Sequence, residues 1–252
     1  MEENSLPIEF FIAHIKSFAD VFPAVTVQDE EWGLIFEWPN SNHISTNIAL
    51  IYNVPKINME FLLQWMKEDL NRKIVIPEGI KLPGQTTKEY GLGIYFRKKK
   101  KINSPVLDTE TIRSYSYSAN SLDFDLKDIM NNVTEINDIS EDAAFEFHRL
   151  IGGNMHLNEG EIWSLDNDGA VLSTALTVEQ SEFKNIKLID LLATRKAVRQ
   201  NGHAGNLLQS IIANGKKFGY IIIAEKNLIY EKLLKKFDFE LINSYDVHIL
   251  KK

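Results

Sequence analysis

The sequence predicts an α/β (α+β) protein, a mixed central sheet flanked by helices and built in two halves. Three observations carry this. Along all 252 residues, segments with helical spacing of apolar residues alternate with short β-branched and aromatic runs. A polar, serine-rich stretch from about Ile102 to Asn132 interrupts that alternation once. In the second half the apolar run "IKLIDLLAT" leads into a glycine-containing loop and an amphipathic helix, the order of a buried strand followed by a crossover.

The elements follow in order. "PIEFFIAHIKSFADVF" spaces Ile8, Phe11, Ile12, Ile15 and Phe18 on one helical face. "AVTV", "GLIFEW" and "NIALIY" read as strands separated by turn chemistry such as "PNSNH". "MEFLLQWMKEDL" returns to helix and "KIVI" to strand, and "KEYGLGIYFRKKKK" suggests a short helix, a glycine stop and another strand. Beyond the polar stretch, "ISEDAAFEFHRLI" is a helix with Ser140 as N-cap. "EIWSLDNDGAVLSTALTV" is a hairpin about Asn167, Asp168 and Gly169. "GNLLQSIIANGKKFG" places Leu207, Leu208, Ile211 and Ile212 on one helical face; "YIIIA", "NLIYEKLLKKF" and "FELINSYDVHILKK" supply a strand, a helix and closing β material. The domains expected are residues 1–104, a linker over 105–130, and residues 131–252.

Composition narrows the function. With 28 Lys plus Arg against 35 Asp plus Glu, the formal charge of −7 argues against a nucleic-acid partner. The absence of cysteine excludes disulfides, thiolate metal sites and a cysteine nucleophile, and fits a cytoplasmic protein. No stretch of about eighteen apolar residues exists to span a membrane, and "MEENSLP" lacks the regions of a signal peptide.

The stretch "VRQNGHAGNLL", Val198 to Leu208, carries the functional signal. Glycine removes the Cβ that would hold a ligand away from the main chain, so backbone N–H groups can converge on one object. A helix starting at Ala204 or Gly205 adds unpaired N–H groups and the positive end of its dipole, and the object these favour is a phosphate. The alternative is a strand-to-helix turn whose glycines merely cap and pack. There is no Gly-Lys-Ser/Thr ending for a nucleotide P-loop, and the glycine spacing is not the dinucleotide fingerprint.

"LLATRKAVRQNGHAGNLLQSII" resembles the acetyl-CoA signature of the GCN5-related N-acetyltransferase (GNAT) superfamily: Gln or Arg, two residues, Gly, one residue, Gly or Ala. Arg199, Gly202 and Ala204 fill its three defined positions. The later run "NLIYEKLLKKFDFEL" resembles the family's Asn-to-Gly-Phe helix, and the likeness covers roughly residues 131–252. It implies a GNAT fold and an acyl-CoA-dependent N-acetyltransferase that moves acetyl from acetyl-CoA to a small-molecule or protein amine, without a metal. It implies that Arg199, Gln200, Asn201, Gly202, His203, Ala204 and Gly205 hold the CoA pyrophosphate. The pantetheine would run beside Leu192, Ala193 and Thr194, and Asn227 matches the family's Asn.

Catalysis departs from the family. Its strand bases stand eleven or nine residues before the loop's Arg or Gln, which here are Leu188 and Asp190. Strand alternation puts Leu188, Asp190, Leu192 and Thr194 on one face, making Asp190 the candidate general base, with a purely structural carboxylate as the alternative. The family's acid, a tyrosine five residues before the Phe of the Gly-Phe pair, falls on Leu234, and the Gly falls on Asp238. Tyr230, one helical turn earlier, is the candidate acid, or else packs against the sheet. His203 is read as flanking the pyrophosphate or facing solvent. His148 and His156 lie where the family admits substrate, "GGNMHLNEGE" reads as a substrate loop, and Glu159 or Glu161 could hold a cationic amine there.

In the first half, "TTKEYGLGIYF" resembles the family's late helix, yet residues 1–130 contain no pyrophosphate loop. The reading is a degenerate GNAT-like half in tandem with a CoA-binding one, the alternative an unrelated α+β cap. "RKKKK", Arg97 to Lys101, is a solvated strand end or a contact for an acidic group, and Trp32, Trp38 and Trp65 are core. A catalytically weak or inactive CoA-binding module for regulation or assembly is the alternative function, and a homodimer is left open.

Overall fold

The computed structural model describes residues 6–19, 22–38, 46–99, 111–116, 124–157, 159–215 and 217–251. In chain order the elements are α1 (Leu6–Ala19), β1 (Thr26–Glu30), β2 (Gly33–Glu37), β3 (Ile48–Ile51), α2 (Met59–Glu68), β4 (Lys73–Pro77), β5 (Thr86–Arg97) and β6 (Thr111–Ser116). There follow α3 (Phe124–Ile136), α4 (Glu141–Leu157), β7 (Glu161–Asn167), β8 (Ala170–Glu179), β9 (Ile186–Thr194), α5 (His203–Asn214), β10 (Gly219–Glu225), α6 (Leu228–Lys236) and β11 (Glu240–Leu250). Two compact units result, one of Met1–Tyr95, Ile223–Lys232 and Leu241–Lys252, the other of Phe96–Ile222 and Leu233–Glu240.

The first unit is a mixed sheet in the order β1-β2-β3-β4-β11-β5. β1–β2, β2–β3 and β4–β11 pair antiparallel, and β3 with β4, which the crossover helix α2 joins, pairs parallel. Asn58 caps α2, its Oδ1 accepting from the Phe61 N–H at 3.1 Å. The helix lays Leu62, Trp65 and Met66 on Trp32, Ile35, Ile74 and Ile76, so Trp32 and Trp65 are core as read. Trp38 is core as well, 2% exposed and stacked on Phe22. The buried face of α1 is rotated from the expected one: Phe10 and His14 are buried, while Ile8 and Ile12 are only partly covered.

The second unit orders its strands β10-β9-β8-β7-β6, antiparallel except for β9 with β10. That parallel pair is joined by α5 as a β-α-β crossover. Asp168 (φ +49) and Gly169 (φ +81) form the expected two-residue hairpin turn of β7 and β8, both in the left-handed region such turns demand. The helix α4 begins directly after Ser140.

Four expectations change. "KEYGLGIYFR" is one continuous strand, β5, with no helix; without a Cβ at Gly93 the Tyr95 ring lies over the strand, where an added Cβ would come within 2.6 Å of it. The polar stretch carries β6 and the start of α3, and β6 pairs with β7 along six residues. "GGNMHL" is the last part of α4 rather than a loop, with Asn154 only 1% exposed. The closing strand β11 pairs with β4 in the first unit, Tyr245 opposite Pro77 and His248 opposite Ile74.

Candidate active site

The site grows from the end of β9. Opposite β8, Asp190 faces Leu176 and Ala193 faces Thr174, so Leu191 and Leu192 together stand against the single residue Ala175. This is a β-bulge, and Leu191 takes φ +52 to make it. The strict alternation expected for Leu188 to Thr194 therefore ends at Asp190. A bulge withdraws a backbone segment from the ladder and exposes it to another partner.

Asp190 is coupled to the bulge directly. Its Oδ1 accepts from the Leu191 N–H at 2.8 Å. Burial pushes its carboxyl above the ordinary carboxylate range, and the hydrogen bond from Leu191 opposes that only in part. Past the bulge, Thr194 is fixed by Ser173, their hydroxyl oxygens 2.7 Å apart.

The loop is then held from behind. Arg195 donates its N–H to Leu172 O at 2.9 Å and its Nε to Val171 O at 3.1 Å, and its guanidinium pairs with Glu135 of α3. After a single 3₁₀ turn over Lys196–Val198, Arg199 folds back so that Nε donates to Thr194 O at 3.0 Å. Asp138 lies 2.9 Å from Lys196 Nζ and 3.7 Å from Arg199. Glu135 and Asp138, at and just beyond the end of α3, are residues that sequence reasoning missed; no local pattern marks them, because they meet the loop only through the fold.

Gln200 (φ +70) and Gly202 (φ +88) are left-handed, with Asn201 between them at negative φ. Such alternation turns successive N–H groups toward one side, the geometry that receives an anion. Gly202 is the N-cap of α5 and supplies no side-chain acceptor, so the helix opens at His203, one or two residues earlier than expected. A Cβ at Gly202 would meet nothing within 4 Å, whereas Gly205 is buried with Leu233 and Phe237 at 3.5 and 3.8 Å from where its Cβ would stand. Open space in front of Gly202 and packing behind Gly205 give the loop a ligand side and a protein side.

The second unit thus gathers Asp190, Leu192 to Thr194 and Arg199 to Gly205 along one continuous segment. Asn227 and Tyr230 belong to the first unit. Asn227 is the cap of α6, its Oδ1 accepting from the Tyr230 N–H at 2.8 Å, and Tyr230 is partly buried. Leu234 is fully buried. Asp238 takes φ +61 directly after α6, a left-handed turn at the end of the helix.

Other candidates fall away from this segment. His148 shares a 2.8 Å hydrogen bond with Thr134, and burial lowers its pKa. His156 is exposed at the end of α4. Arg97, read as part of a solvated basic run, is 1% exposed and donates Nε to Phe237 O at 2.9 Å; Lys100 and Lys101 lie outside the described residues. Among the described residues no group of three or more His, Asp or Glu could hold a metal, and no helix is long and apolar enough to cross a membrane.

No family model and no curated protein sequence matches the chain. Solved structures do. A GCN5-related N-acetyltransferase from Sphaerobacter thermophilus is similar with a TM-score of 0.59 at 11% identity, over 96% of this chain and 90% of that one. A putative GNAT-family acetyltransferase from Novosphingobium aromaticivorans gives 0.58 at 11%, over 96% of both chains. A tandem GNAT protein from the clavulanic acid biosynthesis pathway gives 0.58 at 9%, over 94% of this chain and 86% of that one. At such identities the likeness establishes the fold: mixed α/β, with helices flanking mixed sheets, as in GNAT proteins.

Proposed function

We propose that this chain, which has the fold of GNAT acetyltransferases, is an acyl-CoA-dependent N-acetyltransferase acting on an amine. The observation that carries the reading is the bulged β9 running into a loop with two left-handed residues and an α5 start without a side-chain cap. In this reading the backbone N–H groups from Gln200 to Gly205 hold the pyrophosphate of CoA, and the β9 edge from Leu192 to Thr194 hydrogen-bonds its pantetheine arm.

Acetyl-CoA supplies the acyl group as a thioester, already activated toward an amine. What remains for the protein is to orient the acceptor and move two protons. Asp190, its carboxyl raised by burial, takes one proton from the ammonium, which frees the nitrogen lone pair to attack the carbonyl carbon. As the C–S bond breaks, the departing thiolate takes up the second proton that the nitrogen gives up. Arg199 steadies the strand end through Thr194 O.

The second reading, a CoA-binding module without turnover, is favoured by one observation: the Asp190 carboxylate is engaged with the Leu191 N–H, a structural use of the candidate base. Calorimetry with CoA, followed by thiol release from acetyl-CoA across a panel of primary amines, separates the readings. CoA binding with amine-dependent thiol release supports the transferase. Binding with no release for any amine selects the module, and no CoA binding removes both.

A further inference from the structure

At the opposite end of α5 from the loop, the second unit contains a cavity of about 210 Å³. Glu161 and Trp163 stand two apart on β7 and so on one face of the sheet, and Lys187 on β9 is paired across to Tyr220 on β10. Phe218 and the end of α5 at Asn214 close the space. Lys187 and Leu192 are five residues apart on β9, about 16 Å of strand, so this cavity is not the place proposed for acyl transfer.

The lining carries one charge of each sign, Glu161 and Lys187. Lys187 Nζ donates to Glu161 Oε2 at 3.5 Å, well beyond the roughly 2.8 Å of a strong charge-assisted hydrogen bond. An ammonium has three N–H donors and a carboxylate accepts at both oxygens, so a contact this long leaves both groups able to bond further. Just outside the lining the charges balance as well: Glu179 is 3.8 Å from Lys187 Nζ, and Lys217 Nζ stands 5.0 Å from the centre of the Phe218 ring. Neutral polar groups of the lining are used inside the protein. The Trp163 indole N–H donates to Thr177 Oγ1 at 3.1 Å, the Tyr220 hydroxyl to Ile211 O at 3.0 Å, and the Asn214 amide to Ser210 O at 3.0 Å. The rings of Trp163, Phe218 and Tyr220 therefore offer the cavity apolar surface beside a loosely held ion pair.

A ligand with a single charge gains little here, since a cation drawn to Glu161 is repelled by Lys187 only 3.5 Å away, and an anion meets the reverse. A ligand with both charges at that spacing gains from each. An α-amino acid is such a ligand, because bonds through one Cα hold its ammonium nitrogen and carboxylate oxygens about 3 Å apart. Laid antiparallel against the pair, its ammonium meets Glu161 while its carboxylate meets Lys187. Both side chains are partly exposed, so the ligand can reach them from solvent. At roughly 30 Å³ per water the volume equals about seven waters, room for about nine heavy atoms. We propose that this cavity, framed by Glu161, Trp163, Lys187 and Phe218, is a second small-molecule site that takes a free α-amino acid with a compact apolar side chain. The site stands apart from the CoA reading and does not require it.

The test is calorimetry on the full chain, without CoA, with L-leucine and with its two singly charged fragments: isopentylamine, which lacks the carboxylate, and isocaproate, which lacks the amine. The expected result is saturable binding of one leucine per chain, about tenfold or more tighter than either fragment, and weakened about tenfold by Glu161→Gln and by Lys187→Met. Absence of saturable leucine binding, or a fragment that binds as tightly as leucine, overturns the proposal on the wild-type chain, with no variant needed. Leucine binding that neither substitution weakens also overturns it, because the amino acid then sits elsewhere.

Discussion

Asp190 caps its own neighbour: its Oδ1 holds the Leu191 N–H at 2.8 Å, in the very residue whose φ of +52 creates the bulge in β9. The carboxylate thus has a structural task at the point where the reaction would need a base. Burial raises its pKa in the folded state, so with rising pH the unfolded chain loses this proton first. The group therefore costs stability above the ordinary carboxylate range, near pH 4, and costs nothing below it. Asp190→Asn retains an oxygen for Leu191 and removes the half-buried charge. Denaturant unfolding should find the variant more stable than wild type at pH 7, with the difference closing by about pH 3. Its CoA affinity should be nearly unchanged, while thiol release falls roughly 10²-fold if Asp190 is the base.

Two glycines in one loop should answer differently to alanine. At Gly202 nothing stands in the way of a Cβ, but φ +88 costs an L-residue about 1–2 kcal/mol. At Gly205 no positive φ is involved, and the methyl would reach ordinary contact with Leu233. Thermal unfolding is expected to show Gly202→Ala destabilised and Gly205→Ala neutral or more stable. Gly202→Val should in addition lose CoA binding by about 2 kcal/mol, read by calorimetry, because its branch would occupy the open side of the loop.

Leu234, where the resemblance expects a tyrosine, is fully buried. Leu234→Tyr therefore overpacks the core and should destabilise by about 1–3 kcal/mol in a denaturant titration. Tyr230→Phe removes only a hydroxyl: if Tyr230 is the acid, thiol release slows about tenfold or more with CoA affinity intact, and if it only packs, both measurements stay the same.

His14 tests the first unit. It is 6% exposed in α1, and burial lowers its pKa to about 4. The unfolded chain then binds a proton near pH 6.5 that the folded chain refuses. Stability should fall as pH drops from about 6.5 toward 4, by up to about 3 kcal/mol from this group. Denaturant unfolding of His14→Gln at pH 7 and pH 5 should show a shallower loss than wild type.

The β9–loop–α5 segment was legible because each of its parts is written locally. The run "IKLIDLLAT" is apolar enough for an interior strand, glycine stands at 202 where the chain turns left-handed, and Leu207, Leu208, Ile211 and Ile212 repeat at helical spacing. The hairpin at Asp168 and Gly169 was legible for the same reason. β5 was misread because its polar first half, "TTKEY", has no strand alternation, and because Gly93 serves the Tyr95 ring and not a helix end.

What the sequence by itself determined is the buried face of α5 and the turns at Asp168–Gly169 and Gly202, where the chain must turn left-handed. Only the tertiary structure decided the pairings that are not local. It brought β11 to β4 across about 170 residues of chain, set Glu135 and Asp138 behind the loop, and placed two residues of β9 against one of β8 so that Asp190 came to hold Leu191. The reason is physical: periodicity and turn chemistry act over a few residues, whereas a strand's partner and register are chosen by which apolar faces and backbone groups remain unsatisfied once the other elements have packed.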